Sequence, residues 1–96
     1  MLIKAGVDIS KLKRPMRRAL NKIARTLAAV VNEELIITST YEGNHSESSL
    51  HYCDEAIDIR QPAKPDLVVQ ELKRTLGRDF DIVPERDHIH IEYDPD

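Results

Sequence analysis

The segment HIHIEY, residues 88–93, has the least freedom in how it folds. Side chains alternate between the two faces of a strand, so Ile89 and Ile91 share one side while His88 and His90 share the other. The isoleucines can then pack into a core while both imidazoles face a cleft. AIDIR, residues 56–60, repeats the pattern, with Ala56, Asp58 and Arg60 on one side and Ile57 and Ile59 on the other. The carboxylate of Asp58 can therefore face the same cleft. The two segments together predict a sheet covered on one face only.

The remaining elements supply the cover. From Pro15 to Asn32, Met16, Leu20, Ile23, Leu27, Val30 and Val31 recur at steps of three and four, which predicts an amphipathic helix. Pro15 suits its first turn, where the missing N–H is not needed. A second helix is traced by Pro65, Val68, Val69, Leu72 and Leu76, with Asp66 in its first turn, Lys73 and Arg74 in its last, and Gly77 to close it. That charge order suits the helix dipole. LIITSTY (35–41) and FDIV (80–83) read as strands, and PERD joins the latter to HIHIEY. Residues 1–9 read as an irregular or short extended lead-in, EGNHSESSL (42–50) as a polar loop, and QPAKP (61–65) as a turn. The expectation is a single α+β domain over residues 1–96, a small antiparallel sheet packed against two helices.

A chain of 96 residues buries a modest core, so a bound metal would add appreciably to its stability. The net charge of −3 provides no global drive toward nucleic acid. The charge is uneven. Lys11, Lys13, Arg14, Arg17, Arg18, Lys22 and Arg25 crowd the first third, while Asp79, Asp81, Glu85, Asp87, Glu92, Asp94 and Asp96 crowd the end. Such a basic helix face is usually a solvated surface, and the competing reading is an anionic polymer as partner. A lone cysteine, Cys53, excludes an internal disulfide and a thiolate zinc finger. The first residues contain no apolar signal-peptide core, and no stretch is long enough to span a membrane. The expectation is synthesis in the cytoplasm, with release by another agent if the protein works outside the membrane.

All four histidines fall into two clusters, His45 with His51 and His88 with His90. With Asp58 they offer imidazoles and a carboxylate for one metal. Two histidines and one carboxylate suit a catalytic zinc site, which keeps a fourth position open, and equally iron(II) in oxygenases. The spacing does not choose between the two metals.

The segment GNHSESSLHYCDEAIDI resembles the signature of the zinc D-Ala-D-Ala carboxypeptidase superfamily. That group includes phage and bacterial peptidoglycan endopeptidases and the amino-terminal domain of Hedgehog. Its pattern, S-x-H-x-x-G-x-A-x-D, is met by Ser49, His51, Ala56 and Asp58; a later acidic-plus-H-x-H element is met by Asp87, His88 and His90. HSESSLHY is close to the Hedgehog form, and small phage-encoded members are the most similar overall. The likeness covers roughly residues 16–93. It implies a Hedgehog/DD-peptidase-like fold and a zinc-dependent metallopeptidase, of D,D-carboxypeptidase or endopeptidase type, acting on peptidoglycan stem peptides at the cell wall. It implies His51, Asp58 and His90 as zinc ligands, Asp87 as general base, and His88 and His45 as residues lining the site. A monomer released during phage lysis fits this picture, with no nucleic-acid partner and no membrane insertion.

In a regular strand Asp87 would point away from the face of His88 and His90, so it serves as base only if the chain bends there. Glu85 is the alternative base. Asp54 stands where the family has glycine, and no arginine follows the preceding strand to bind a substrate carboxylate; the candidate substitutes are Arg60, from the Asp58 strand, and a residue of the amino-terminal segment. These departures favour an endopeptidase over a carboxypeptidase, and they motivate a second reading, a zinc-stabilised binding module without turnover. Glu42, Asn44, Glu47, Asp54 and Glu55 read as a solvated oxygen-rich loop region, with calcium as the competing reading. Tyr41, at the loop edge, is placed to line a cleft.

Overall fold

The helices begin and end where their termini are satisfied. In the computed structural model, which describes residues 1–42 and 55–95, α1 spans Arg14–Val31 and α2 spans Pro65–Leu76. Each helix has a proline in its first turn. α1 stops at Asn32, which adopts the left-handed conformation (φ 55°, ψ 42°) and donates its N–H to the Leu27 carbonyl; asparagine tolerates this conformation better than most residues. α2 stops at Gly77 (φ 82°), whose N–H bonds the Lys73 carbonyl.

The strands are β1 (Leu2–Ile3), β2 (Ile36–Glu42), β3 (Glu55–Arg60), β4 (Phe80–Pro84) and β5 (His88–Tyr93), in sheet order β1-β2-β3-β5-β4. The sheet is mixed rather than wholly antiparallel, because β1 pairs parallel with β2 through Leu2↔Ile36 and Ile3↔Ile37. Two residues are too few to show an alternation, so the sequence leaves residues 1–9 as either irregular or a short extended lead-in, and β1 is the latter over Leu2–Ile3. The parallel pairing follows from α1 lying between the two strands as a crossover helix. The other three pairings are antiparallel.

The helices cover one face of this sheet. Met16, Leu20, Ile23 and Leu27 of α1 and Val68, Val69, Leu72 and Leu76 of α2 join Ile37, Ile57, Ile59, Ile82, Ile89 and Ile91 in one buried cluster. The alternation in β3 and β5 therefore holds as expected. Ile57, Ile59, Ile89 and Ile91 are fully buried, and the opposite face carries Asp58, His88 and His90.

Two further details depart from the sequence expectation. β3 starts at Glu55, which the sequence placed in a polar loop. Its side chain falls on the helix side with Ile57 and Ile59 and is 2% exposed. Both carboxylate oxygens accept the Lys13 backbone N–H, at 2.6 and 2.7 Å. Lys13 is the N-cap of α1 and has no side-chain cap of its own. Glu55 thus places a negative charge at the positive end of the helix dipole. Glu55→Ala is expected to destabilise the protein by about 2 kcal/mol by orphaning that N–H, lowering Tm by about 10 °C. Glu55→Gln, which keeps an acceptor, is expected to lose less. Thermal melts of both variants check this.

The second departure is a β-bulge. The β2–β3 register shifts between Ile37 and Ser39, so that Ile37 pairs with Ile59 but Ser39 pairs with Asp58 and Tyr41 with Ala56. Directly opposed residues share a face. Without the extra residue Tyr41 would point to the helix side; the bulge re-aims it to the open face beside Asp58.

Candidate functional site

The antiparallel register of β3 and β5 sets Asp58 directly opposite His90, and Arg60 opposite His88. Their side chains stand on the open face, held there by isoleucines anchored on the other. The His90 ring lies between two carboxylates, with Nδ1 2.6 Å from Asp58 Oδ1 and Nε2 3.1 Å from Glu92 Oε1. Each contact needs an N–H, so this geometry is that of an imidazolium. Tyr41 donates its hydroxyl to the other oxygen, Asp58 Oδ2, at 2.9 Å. Its ring meets that of His90 edge-on, with centroids 5.5 Å apart. His88 turns Nε2 toward Asp58 Oδ2 at 3.8 Å and donates Nδ1–H to Asp87 Oδ1 at 2.7 Å. Acid and imidazole therefore alternate along the face: Asp87, His88, Asp58, His90, Glu92.

The expected residues divide accordingly. Asp58, His88 and His90 come together. Asp87 lies in a bend just before β5, as its role required, but its carboxylate is 85% exposed and reaches the site only through His88. Glu85 lies in the β4–β5 connection, where its backbone N–H donates to the His88 carbonyl at 2.8 Å; its side chain is exposed. His45, His51, Cys53 and Asp54 lie outside the described residues. Of the oxygen-rich loop, Asn44, Glu47 and Asp54 also lie outside, while Glu55 is committed to the N-terminus of α1.

Two residues of the face were missed or under-read. The charge pattern reads Glu92 as part of an acidic tail. The signal was present, because H-x-H-x-E in a strand puts Glu92 on the same side as His90. Tyr41 was placed at the cleft, but its bond to Asp58 depends on the bulge. Among the described residues, the group of three metal-type ligands with atoms within 4.8 Å of one another is Asp81, Glu92 and Asp94, at the far end of β4–β5. That set is all oxygen and differs from the imidazole–carboxylate set expected for zinc.

Electrostatics follow the contacts. Burial disfavours the charged form of His90, but its hydrogen bonds to Asp58 and Glu92 outweigh this and raise its pKa. The hydrogen bond to Asp87 raises that of His88, and the same bond lowers that of Asp87. The bond to Asp58 raises that of Tyr41. Both histidines therefore bind protons more tightly folded than unfolded. In metal-free protein their stabilisation is complete below the ordinary histidine pKa of about 6.5 and is lost as pH rises through the raised folded values. Melts in chelator are expected to show Tm falling above neutral pH. Ligands must lose protons to bind a metal, so any extra Tm from added zinc is expected to grow with pH over the same window. Parallel melts with and without zinc read both slopes.

Asp58 and His90 stand on adjacent strands bonded to each other, and Glu92 and Tyr41 hold their remaining polar atoms; His90 can accept a metal only after it gives up a proton and one of these carboxylate contacts. No family model, no curated protein and no solved structure matches this chain.

Proposed function

We propose that the chain is a zinc-dependent peptidase acting on the peptide stems of peptidoglycan. The observation that carries this reading is the cross-strand pair Asp58–His90, with His88 beside it, on the uncovered face of a sheet. It joins the two sequence elements that resemble the D-Ala-D-Ala carboxypeptidase superfamily. On this reading Asp58 and His90, with His51, hold the metal, and the fold is of the Hedgehog/DD-peptidase kind. Bound zinc supplies a Lewis acid and a water whose pKa is near 7. The chain's own groups do the rest. Asp87 fixes the Nδ1–H of His88, which leaves Nε2 facing Asp58 to hold or release a proton at the reacting centre. Tyr41 and Glu92 keep the ligand side chains in place. Arg60 stands on the same face opposite His88, where a cation can meet a substrate carboxylate. The setting that fits is a monomer reaching the cell wall during phage lysis.

The test is to incubate zinc-loaded protein with muropeptides and follow new amino termini. His90→Ala is expected to abolish zinc binding and cleavage together. Asp87→Ala is expected to retain zinc and lose at least about a hundredfold in turnover, the scale of a lost acid–base group. Folded, zinc-loaded protein that cleaves no muropeptide would overturn the enzymatic claim.

One observation favours the second reading, a zinc-stabilised binding module. The Asp87 carboxylate is largely exposed and bonded to His88 rather than directed at the Asp58–His90 pair. For such a module, zinc removal lowers Tm while no peptide is cut.

A further inference from the structure

The helical layer carries a second surface, on the side of the sheet away from the histidines. Arg14, Arg18, Lys22 and Arg25 of α1 are all exposed. At 3.6 residues per turn they fall within about 80° of one another around the helix axis and span about 16 Å along it. They do not face open solvent alone. Arg14, Arg18 and Lys22 line a cavity of ≈ 290 Å³ closed by Leu76, Phe80 and Tyr93. Lys22 and Arg25 line a second, of ≈ 200 Å³, whose far wall is Arg74 and Thr75 of α2. Lys22 lines both, so the two cavities adjoin along α1 and together make a basic groove wall. Its acidic neighbours are Asp79 and Glu71, and Glu71 is taken by Arg74 at 2.9 Å. Among the described residues, the cations on the α1 wall have no ion pair.

We infer that this groove docks a single-chain polyol phosphate, a linear polymer with one negative charge per repeat, and that it does so independently of the metal chemistry on the other face. The charge complementarity is local. The whole chain is −3, so no long-range field draws in a duplex of high charge density. One row of cations at one-turn intervals follows one strand of phosphates rather than two. Proteins that hold single-stranded nucleic acid stack its bases on aromatic rings. Here the groove's two rings, Phe80 and Tyr93, are packed on each other with centroids 5.2 Å apart at one end, and among the described residues no other aromatic residue lines the walls beside the cations. A phosphodiester chain without bases suits these walls best.

The experiment measures binding of labelled poly(glycerol phosphate) to the full chain by fluorescence anisotropy between low and moderate salt. Oligo(dT), duplex DNA and an uncharged polyol serve as comparisons. Affinity is expected to fall with salt with a log–log slope of about −3, the single-strand value for four neutralised phosphates. Arg18→Glu combined with Lys22→Glu is expected to weaken binding at least tenfold, and Arg18→Gln with Lys22→Gln by less, while Arg86→Glu, in the β4–β5 connection, leaves it unchanged. Circular dichroism melts verify that each variant is folded. Binding that is absent at low salt, that survives charge reversal, or that is tighter for either nucleic acid than for the polyol phosphate overturns the proposal.

Discussion

Asp58→Asn is expected to lower zinc affinity by more than about a hundredfold and to take peptide cleavage with it. Losing a group that merely orients a ligand costs about 10–100-fold, and on the proposed reading Asp58 is itself a ligand. Its side chain is 9% exposed and serves three neighbours: the Tyr41 hydroxyl, His90 Nδ1 and, at longer range, His88 Nε2. Asparagine keeps the shape and one acceptor oxygen, so the fold survives while the charge disappears. The imidazolium of His90 then loses its closest counter-ion, and its pKa is expected to fall toward the ordinary histidine value. Zinc competition against a chelator reads the first effect, and NMR titration of the His90 ring in metal-free protein reads the second. If zinc affinity is unchanged while the His90 titration moves, Asp58 is a partner of His90 and not a ligand.

Ile89→Ala is expected to produce the largest loss of stability, about 2–5 kcal/mol. Ile89 is fully buried between the two site histidines in sequence and opposes Ile59 on β3 and Pro84 on β4. A domain of this size has total stability toward the lower end of about 5–15 kcal/mol, so the variant approaches unfolding in ordinary buffer. Tm is expected to drop by about 10–30 °C. Val83→Ala on β4, where the side chain is 43% exposed on the site face, is expected to stay within about 0.5 kcal/mol. Urea titrations of the pair separate burial from strand propensity. A small loss at Ile89 would mean that β5 does not depend on its buried face, and that the histidines are positioned by something else.

Most elements were legible because burial imposes periodicity. Helix α2 and strand β5 match their expected bounds, and α1, β2, β3 and β4 differ by a residue at one or both ends. The face assignment of Asp58, His88 and His90 was legible for the same reason, since isoleucines two apart leave their neighbours nowhere else to point. Glu55 was not, because a carboxylate beside polar residues reads as solvated. It becomes a buried group only when the N-terminus of α1, 42 residues away in sequence, supplies Lys13 N–H. Strand β1 was legible only as one of two alternatives, a short extended lead-in, because its pairing is settled by β2.

Residue pattern alone determined that two strands would each present a polar edge opposite a buried apolar one, and which side chains stand on each. It did not determine which of those side chains touch. That Asp58 faces His90 follows from inter-strand register, that Tyr41 reaches Asp58 follows from the bulge at Ile37–Ser39, and that Asp87 holds His88 follows from the bend before β5. These are relations between strands and turns. They depend on backbone hydrogen bonds, whose chemistry is the same for almost every residue type, so side-chain identity carries little record of them.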